Sequence, residues 1–255
     1  MGALHEGHVQ LMDQAREHGD VVVASIFVNP LQFNRTDDFE RYPRPIADDL
    51  VRCREIGVDA VYAPTAAAMY PAGFQTHVEP GALADPMEGA GRPGHFRGVT
   101  TVVTKLFNAV TPDAAIFGQK DYQQLAIIRR MTIDLDMGID IVGIPTVREA
   151  DDLAMSSRNR RLPPDDRAAA VVVPQALRAI AAAVDEGERD TDRLLELARR
   201  VVSAEPRASL EYVEISDADT LESMRVIERT AVAAIAVWFG DVRLIDNVMI
   251  SSPTG

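Results

Sequence analysis

The stretch VVVASIFV at residues 21–28 limits the fold more than any other segment. It is continuously apolar, rich in β-branched residues and closed by Asn29-Pro30. Such a run reads as a strand buried on both faces, which places it in a parallel sheet covered by helices. The segments around it support this. Residues 9–18 and 46–56 carry apolar positions at helical spacing, stopped by Gly19 and Gly57. Residues 58–62 read as a second strand, 99–110 as an amphipathic helix, 114–117 as a strand, 122–135 as a helix and 139–144 as a strand ended by Pro145. Residues 31–45 are polar and broken by prolines, hence loop, and 77–79 read as an edge strand among turn residues. Strand, helix and strand in alternation give a Rossmann-like α/β domain with helices on both faces of a parallel sheet. A domain of this kind opens on a strand. This sequence opens in a loop that runs straight into a helix, so the first strand is expected to be missing from the sheet.

After about residue 148 the texture changes. Residues 163–184 form an Ala-rich helix expected to kink or break at Pro174. Residues 191–204 form another helix, and 210–215 alternate apolar with polar. Two further strands, 230–238 and 242–250, flank a hairpin turn at Gly240-Asp241. The expected organisation is a Rossmann-like domain over residues 1–147 and a small α+β domain over 148–255.

With 255 residues and 47% apolar composition, the chain can bury a sizeable core. The net charge of −13 argues against general nucleic-acid binding, which wants a basic surface. No apolar run reaches the roughly 18 residues of a bilayer-spanning helix, and the N-terminus lacks the pattern of a secretory signal. A cytoplasmic location and no membrane partner are expected. Cys53 is the only cysteine, which excludes an internal disulfide and a cysteine zinc site. There are two lysines, Lys105 and Lys120, against 24 arginines. A GC-rich coding sequence explains the bias. A retained lysine still invites the question of whether its site needs a compact charge rather than a planar fork.

Four segments can carry chemistry. The first, His5-Glu6-Gly7-His8, stands at a helix start, where free N–H groups and the helix dipole favour a phosphate. Gly2 and Gly7 would let a nucleotide approach the backbone. The segment is neither a Walker loop nor His-Glu-x-x-His, and two helix-capping histidines are the plainer alternative. The second, Gly118-Gln119-Lys120-Asp121, follows a strand, the usual ligand position in a parallel sheet. Lys120 would neutralise charge on a transferring phosphoryl group, and a solvated turn is the alternative. The third, Met155-Ser156-Ser157-Arg158, offers hydroxyls and a guanidinium to phosphate oxygens, or is a basic linker. The fourth, Asn29-Pro30-Leu31-Gln32-Phe33, places Gln32 at a strand end, able to donate to and accept from a polar substrate. Gln123 and Gln124 offer the same. Any of these glutamines alone is more often an ordinary surface residue. Glu88, Arg92 and His95 lie in a Gly-rich stretch that reads as a lid or a mobile loop. Asp48 and Asp49 suit a helix N-terminus.

MGALHEGH at 1–8, FVNPLQF at 27–33, FGQKDYQQ at 117–124, PTVREA at 145–150 and MSSRNR at 155–160 stand in one order. Together they closely resemble the pantothenate synthetase family, the AMP-forming pantoate–β-alanine ligases, within the nucleotidyltransferases that carry a His-x-Gly-His signature. The resemblance runs from Met1 to about Asn247 and is looser in the second domain. It implies that Mg-ATP binds between the two domains. The pantoate carboxylate attacks the α-phosphate to give pantoyl adenylate and pyrophosphate, and the β-alanine amine then displaces AMP. Met1, Gly2, Ala3, Leu4, His5, Glu6, Gly7 and His8 would line the ATP site, with His8 as proton donor and His5 on phosphate. Gly118, Gln119, Lys120 and Asp121 would continue it, with Lys120 on the α-phosphate. Val147 would touch adenine, and Met155, Ser156, Ser157 and Arg158 would close over the triphosphate. The implied catalytic set is His8, His5, Lys120, Ser156, Ser157 and Arg158. Gln32 and Gln124 would hold pantoate, and Gln32 would also meet β-alanine.

Mg2+, a homodimer, and the substrates ATP, pantoate and β-alanine come with the resemblance. The sequence departs from it in two places. The strand and Pro-Thr dipeptide that precede Met-Gly in the family are absent here, and Gln119 replaces a Glu. An inactive nucleotide-binding form, or another nucleotidyltransferase of the same fold, are the alternatives.

Overall fold

The computed structural model describes residues 1–34 and 36–251, with nothing taken from the side chains of residues 36–38. The chain divides into two compact units, Met1–Pro145 and Thr146–Gly255.

In the first unit, helix α1 (Glu6–His18) is followed by strand β1 (Val23–Ser25), the short helix α2 (Thr36–Arg41), α3 (Ile46–Ile56) and β2 (Ala60–Tyr62). Helices α4 (Ala66–Met69), α5 (Glu88–Gly91) and α6 (His95–Val110) come next, then β3 (Ala114–Gly118), α7 (Tyr122–Asp134) and β4 (Asp140–Ile144). β1 pairs in parallel with β2, Val23 opposite Ala60. β3 pairs in parallel with β4, Ala114 opposite Asp140 through Gly118 opposite Ile144. The parallel strands therefore form two ladders, and among the described residues no strand joins them. At the end of β1 and just beyond it, the Met1 amino group donates to Ser25 O at 2.8 Å and Phe27 N–H donates to Met1 O at 3.0 Å, the hydrogen bonds of a parallel ladder.

Several expectations need correction. The run at 21–28 is not buried on both faces. Val22, Ala24 and Ile26 are buried, whereas Val21 is 68% exposed and Val23 also faces out. The alternation follows from a strand covered on one side. The segment after Leu31 is not all loop, since it contains α2. Residues 77–79 form no strand. Val78 N–H instead donates to Thr101 Oγ1 and Val78 O accepts from Thr100 Oγ1, so two threonines of α6 satisfy the groups a neighbouring strand would take.

Two hydrophobic clusters hold this unit. Leu4, Met12, Ala24, Ile26 and Cys53 join α1, β1 and α3. Phe96, Val99, Val103, Leu125, Ile128 and Ile141 join α6, α7 and β4. Gly143 permits the second packing, because a Cβ there would stand 2.7 Å from Leu125 Cδ2. Gly57 ends α3 at φ 81°, a conformation that favours glycine.

The second unit contains α8 (Pro164–Ala169), α9 (Val172–Asp185), α10 (Thr191–Ser203) and the antiparallel strands β5 (Ala208–Asp217), β6 (Ala231–Phe239) and β7 (Val242–Ile250), in the order β5-β6-β7. The helical break expected at Pro174 falls earlier, at Ala170-Val171. Pro174 lies in the first turn of α9, where the N–H it lacks has no intrahelical partner to lose. Residues Pro164–Asp185 are long and apolar enough by count to cross a membrane. In the structure they are two helices, and Val173, Ala176, Leu177, Ile180 and Val184 of α9 are buried in the core against the sheet. β6 is buried along nearly its whole length, so both faces of the central strand are covered. The β6–β7 turn is made at Gly240, φ 58°.

Candidate active site

The loop before α1 is tied down from a distance. The Asp49 carboxylate, on α3 and 3% exposed, accepts the backbone N–H of Ala3 at 2.9 Å and of Leu4 at 2.7 Å. Ala3 sits at φ 51°, strained for a residue with a Cβ. The carboxylate thus holds a loop that would otherwise relax. His5 follows in extended conformation, and its carbonyl accepts the N–H groups of His8 and Val9. His5 N–H donates to His8 Nδ1 at 3.3 Å, and the two rings lie 4.0 Å apart, centre to centre. Glu6 forms an exposed ion pair with Arg52 at 2.8 Å.

Burial holds the His8 pKa down to about 3, helped by His5, the N-terminal amine, Lys120 and Arg52. Its ring is therefore neutral near pH 7. Since Nδ1 accepts a backbone N–H, the proton sits on Nε2, which makes His8 a donor at that atom.

α1 packs against β3. β3 ends at Gly118 and leads into a 3-10 turn, Gln119–Asp121, that carries half-buried Lys120. Lys120 is close enough to act on the charge of His8. A Cβ added at Gly118 would meet nothing within 4 Å, and one at Gly2 would make only ordinary contact with Val28. No neighbouring protein atom requires either glycine. Gln119 lies beside β4, its Cγ 3.4 Å from where a Gly143 Cβ would stand.

Gln32 ends a 3-10 turn, Pro30–Gln32, that follows β1. Its Oε1 accepts from Asn29 Nδ2 at 3.2 Å. Asn29 is 2% exposed, and its Oδ1 accepts from Tyr70 Oη at 2.7 Å. Burial pushes the Tyr70 phenol up to about 12, so it stays a donor. Gln124 is half-buried on α7. Gln123 is different. It is buried, its Nε2 donates to Leu83 O and Pro86 O at 2.9 and 2.8 Å, and its Oε1 accepts from Glu88 N–H. Its amide is fully engaged in pinning the 83–88 loop, so the candidate substrate role does not hold for Gln123.

In the second unit, residues 147–155 form a hairpin in which Met155 N–H donates to Val147 O at 2.9 Å. Arg148 braces it with two bonds to the buried Asp246. Ser156 Oγ accepts Arg158 N–H at 3.2 Å and caps the 3-10 turn Ser157–Arg161. The structure thus gathers Met1–His8 and Gly118–Asp121 about α1 and β3, and Val147 and Met155–Arg158 about the hairpin.

The sequence marks Asn29 only as part of the segment bearing Gln32, and gives no site role to Tyr70 or Asp49. At the start of α3, Asp49 looks like an acid that favours a helix terminus, and nothing in its spacing shows that it reaches back 45 residues to Leu4.

The family model for pantoate-beta-alanine ligase matches residues 1–249. The chain belongs to the pantoate–β-alanine ligase family. Its relatives include the pantothenate synthetase of Moorella thermoacetica, 50% identical over 98% of this chain and 88% of the relative. Pantothenate synthetase 1 of Bradyrhizobium diazoefficiens is 52% identical over the same shares. Among solved structures, the enzyme of Thermus thermophilus matches at a TM-score of 0.94 and 44% identity, over 97% of this chain and 90% of that one. The Francisella tularensis ligase, solved with Beta-gamma ATP and β-alanine, matches at 0.79 and 33% identity, over 100% and 88%. As a ligase of this family, the chain joins pantoate to β-alanine at the expense of ATP.

Proposed function

We propose that the Met1–His8 loop and the Gly118–Asp121 turn bind the nucleotide, and that ligation runs through pantoyl adenylate. The observation that carries this reading is the neutral His8 at the N-terminus of α1 beside Lys120. An Nε2–H donor, free helix amides and a lysine then converge where an α-phosphate gains charge.

A carboxylate oxygen of pantoate attacks the α-phosphorus, and the bond to pyrophosphate breaks. The amine of β-alanine then attacks the acyl carbon, loses a proton and releases AMP. Lys120 and His8 oppose the charge on the transferring phosphoryl group, with His5 on a neighbouring phosphate oxygen. Gln32 and Gln124 hold pantoate, and Gln32 also meets β-alanine. In the second unit, Ser156 keeps its hydroxyl hydrogen while capping a turn, and Ser157 and Arg158 follow it. Together they suit the triphosphate, as Val147 suits adenine.

Among the described residues no three His, Cys, Asp or Glu are grouped to cage a metal, and both Asp49 oxygens already accept backbone N–H groups. Mg2+ would enter with the nucleotide, on its phosphates, where it would screen their charge. A cytoplasmic enzyme acting as a homodimer completes the reading.

The deciding experiment is product analysis with purified protein, Mg-ATP, pantoate and β-alanine, omitting one component at a time. AMP and pyrophosphate that depend on both pantoate and β-alanine are expected. ADP and phosphate as products would overturn the adenylate route.

A further inference from the structure

Arg92 and His95 have so far no part in the reaction, yet they converge on one atom, with Glu88 behind Arg92. The main-chain oxygen of Gln32 accepts from Arg92 Nη2 at 3.1 Å and lies 2.8 Å from His95 Nδ1. A carbonyl oxygen only accepts, so His95 carries its proton on Nδ1. Arg92 is aligned by Glu88, whose Oε2 lies 3.4 Å from Nη1, and Glu88 is held in turn by Gln123.

One turn further along α6 lies Gly98. A Cβ there would stand 2.4 Å from Leu31 O and 2.8 Å from Gln32 N, so the helix and the turn are at their closest approach. Gly98 O accepts from Asn29 Nδ2 at 3.0 Å. Asn29 Oδ1 is occupied by Leu31 N–H and Tyr70 Oη, which fixes Nδ2 as the atom that donates to Gln32 Oε1. The oxygen of the Gln32 amide is thereby engaged, and its Nε2 is the end left to meet a ligand.

We propose that Arg92, His95 and Gly98 form a clamp on the turn bearing Gln32, and that with Asn29 they present the Gln32 Nε2 donor to an oxygen of the substrate. They are positioning residues. The clamp selects a carboxylate or hydroxyl oxygen at this point rather than an amine. It rests on the assignment of Gln32 to the substrate site, and the experiment separates the two.

Steady-state KM values for pantoate, β-alanine and ATP are measured on Gln32→Ala, Gln32→Glu, His95→Leu, His95→Asn, Gly98→Ala and the double variant Gln32→Ala/His95→Leu, each checked for folding by circular dichroism. Gln32→Ala tests the underlying assignment, and an unchanged KM for pantoate and β-alanine would dismiss it. With that assignment standing, His95→Leu and Gly98→Ala should each raise a KM of the acid substrates about tenfold and leave that of ATP within about twofold. His95→Asn places an N–H where Nδ1–H was, and should recover most of the loss. Gln32→Glu keeps the bond from Asn29 but presents an acceptor, and should be worse than Gln32→Ala.

The double variant should be no worse than Gln32→Ala, because the clamp acts through that residue. Full multiplication of the two effects would overturn the proposal, as would a Gln32→Glu enzyme that matches the wild type. If His95→Leu does not fold, Gly98→Ala gives the same reading, because its Cβ pushes the turn away from α6 without removing any polar side chain. If neither folds, Arg92→Met and the Gln32→Ala/Arg92→Met pair carry the same comparison, with the same result required.

Discussion

Asp49 grips Leu4 across 45 residues, its carboxylate accepting the Leu4 backbone N–H at 2.7 Å. The neighbouring bond to Ala3 N–H makes the grip two-pronged, and α3 thereby sets the loop that leads into α1. Asp49→Asn keeps the shape but replaces one acceptor oxygen with a donor that faces a backbone N–H. A buried group left without its partner costs roughly 1–3 kcal/mol. The expected loss is of about that size in urea denaturation, together with an ATP KM raised about tenfold because His5 and His8 lose their fixed start. A variant with lowered stability and an unchanged ATP KM would show that the grip serves folding alone.

Lys120 and His8 carry a second expectation. Lys120→Ala and His8→Ala should each reduce pantoate-dependent exchange of pyrophosphate into ATP by about 100-fold or more, the usual scale for losing a group that stabilises transition-state charge. Lys120 is half-buried at the surface, so Lys120→Ala should keep its fold, and circular dichroism checks His8→Ala, whose ring packs on His5. Near-normal exchange in Lys120→Ala would remove it from the adenylation step.

Gly118 separates packing from ligand binding. A Cβ there meets nothing within 4 Å, and its φ of −77° suits any residue. Gly118→Ala should therefore change the melting temperature little, while weakening ATP binding measured by calorimetry if the nucleotide lies against this backbone. Unaltered ATP affinity would move the nucleotide away from the turn.

The sequence showed the elements and the chemistry better than their connections. The 3.6-residue pattern and Gly57 mark α3 at its observed bounds, and the hairpin about Gly240 lies where the Gly-Asp pair puts it. The 77–79 strand failed because its backbone partners are threonine side chains of α6, about 22 residues ahead, a pairing no local pattern records. The buried-strand reading of 21–28 failed for a related reason. Apolar character cannot tell whether a second layer covers Val21 and Val23. Gln123 and Gln124 are adjacent and chemically identical, and only the fold gives one to the 83–88 loop. The role of His95 was equally hidden, since its partner is a main-chain oxygen 63 residues back.

His95 also makes stability depend on pH. Burial first, and then the Arg92 charge beside it, lower its pKa to about 4, while the Gln32 oxygen, Glu88 and Asp121 oppose the shift. In the unfolded chain the ring titrates near 6.5. Above that value both states are neutral and the ring adds no pH dependence. As the pH falls below about 6.5 the unfolded chain binds a proton that the folded one refuses. Stability is then lost until the folded pKa near 4 is reached, at a slope approaching ~1.4 kcal/mol per pH unit for one proton. His8 acts in the same sense down to about 3. His95→Asn keeps the N–H and removes the titration. Its urea-unfolding free energy, measured from pH 7 to pH 4, should fall with a slope shallower by close to one proton than that of the wild type. Parallel slopes would mean that His95 takes up a proton in the folded protein as readily as in the unfolded chain, and that its ring is not held neutral against Gln32.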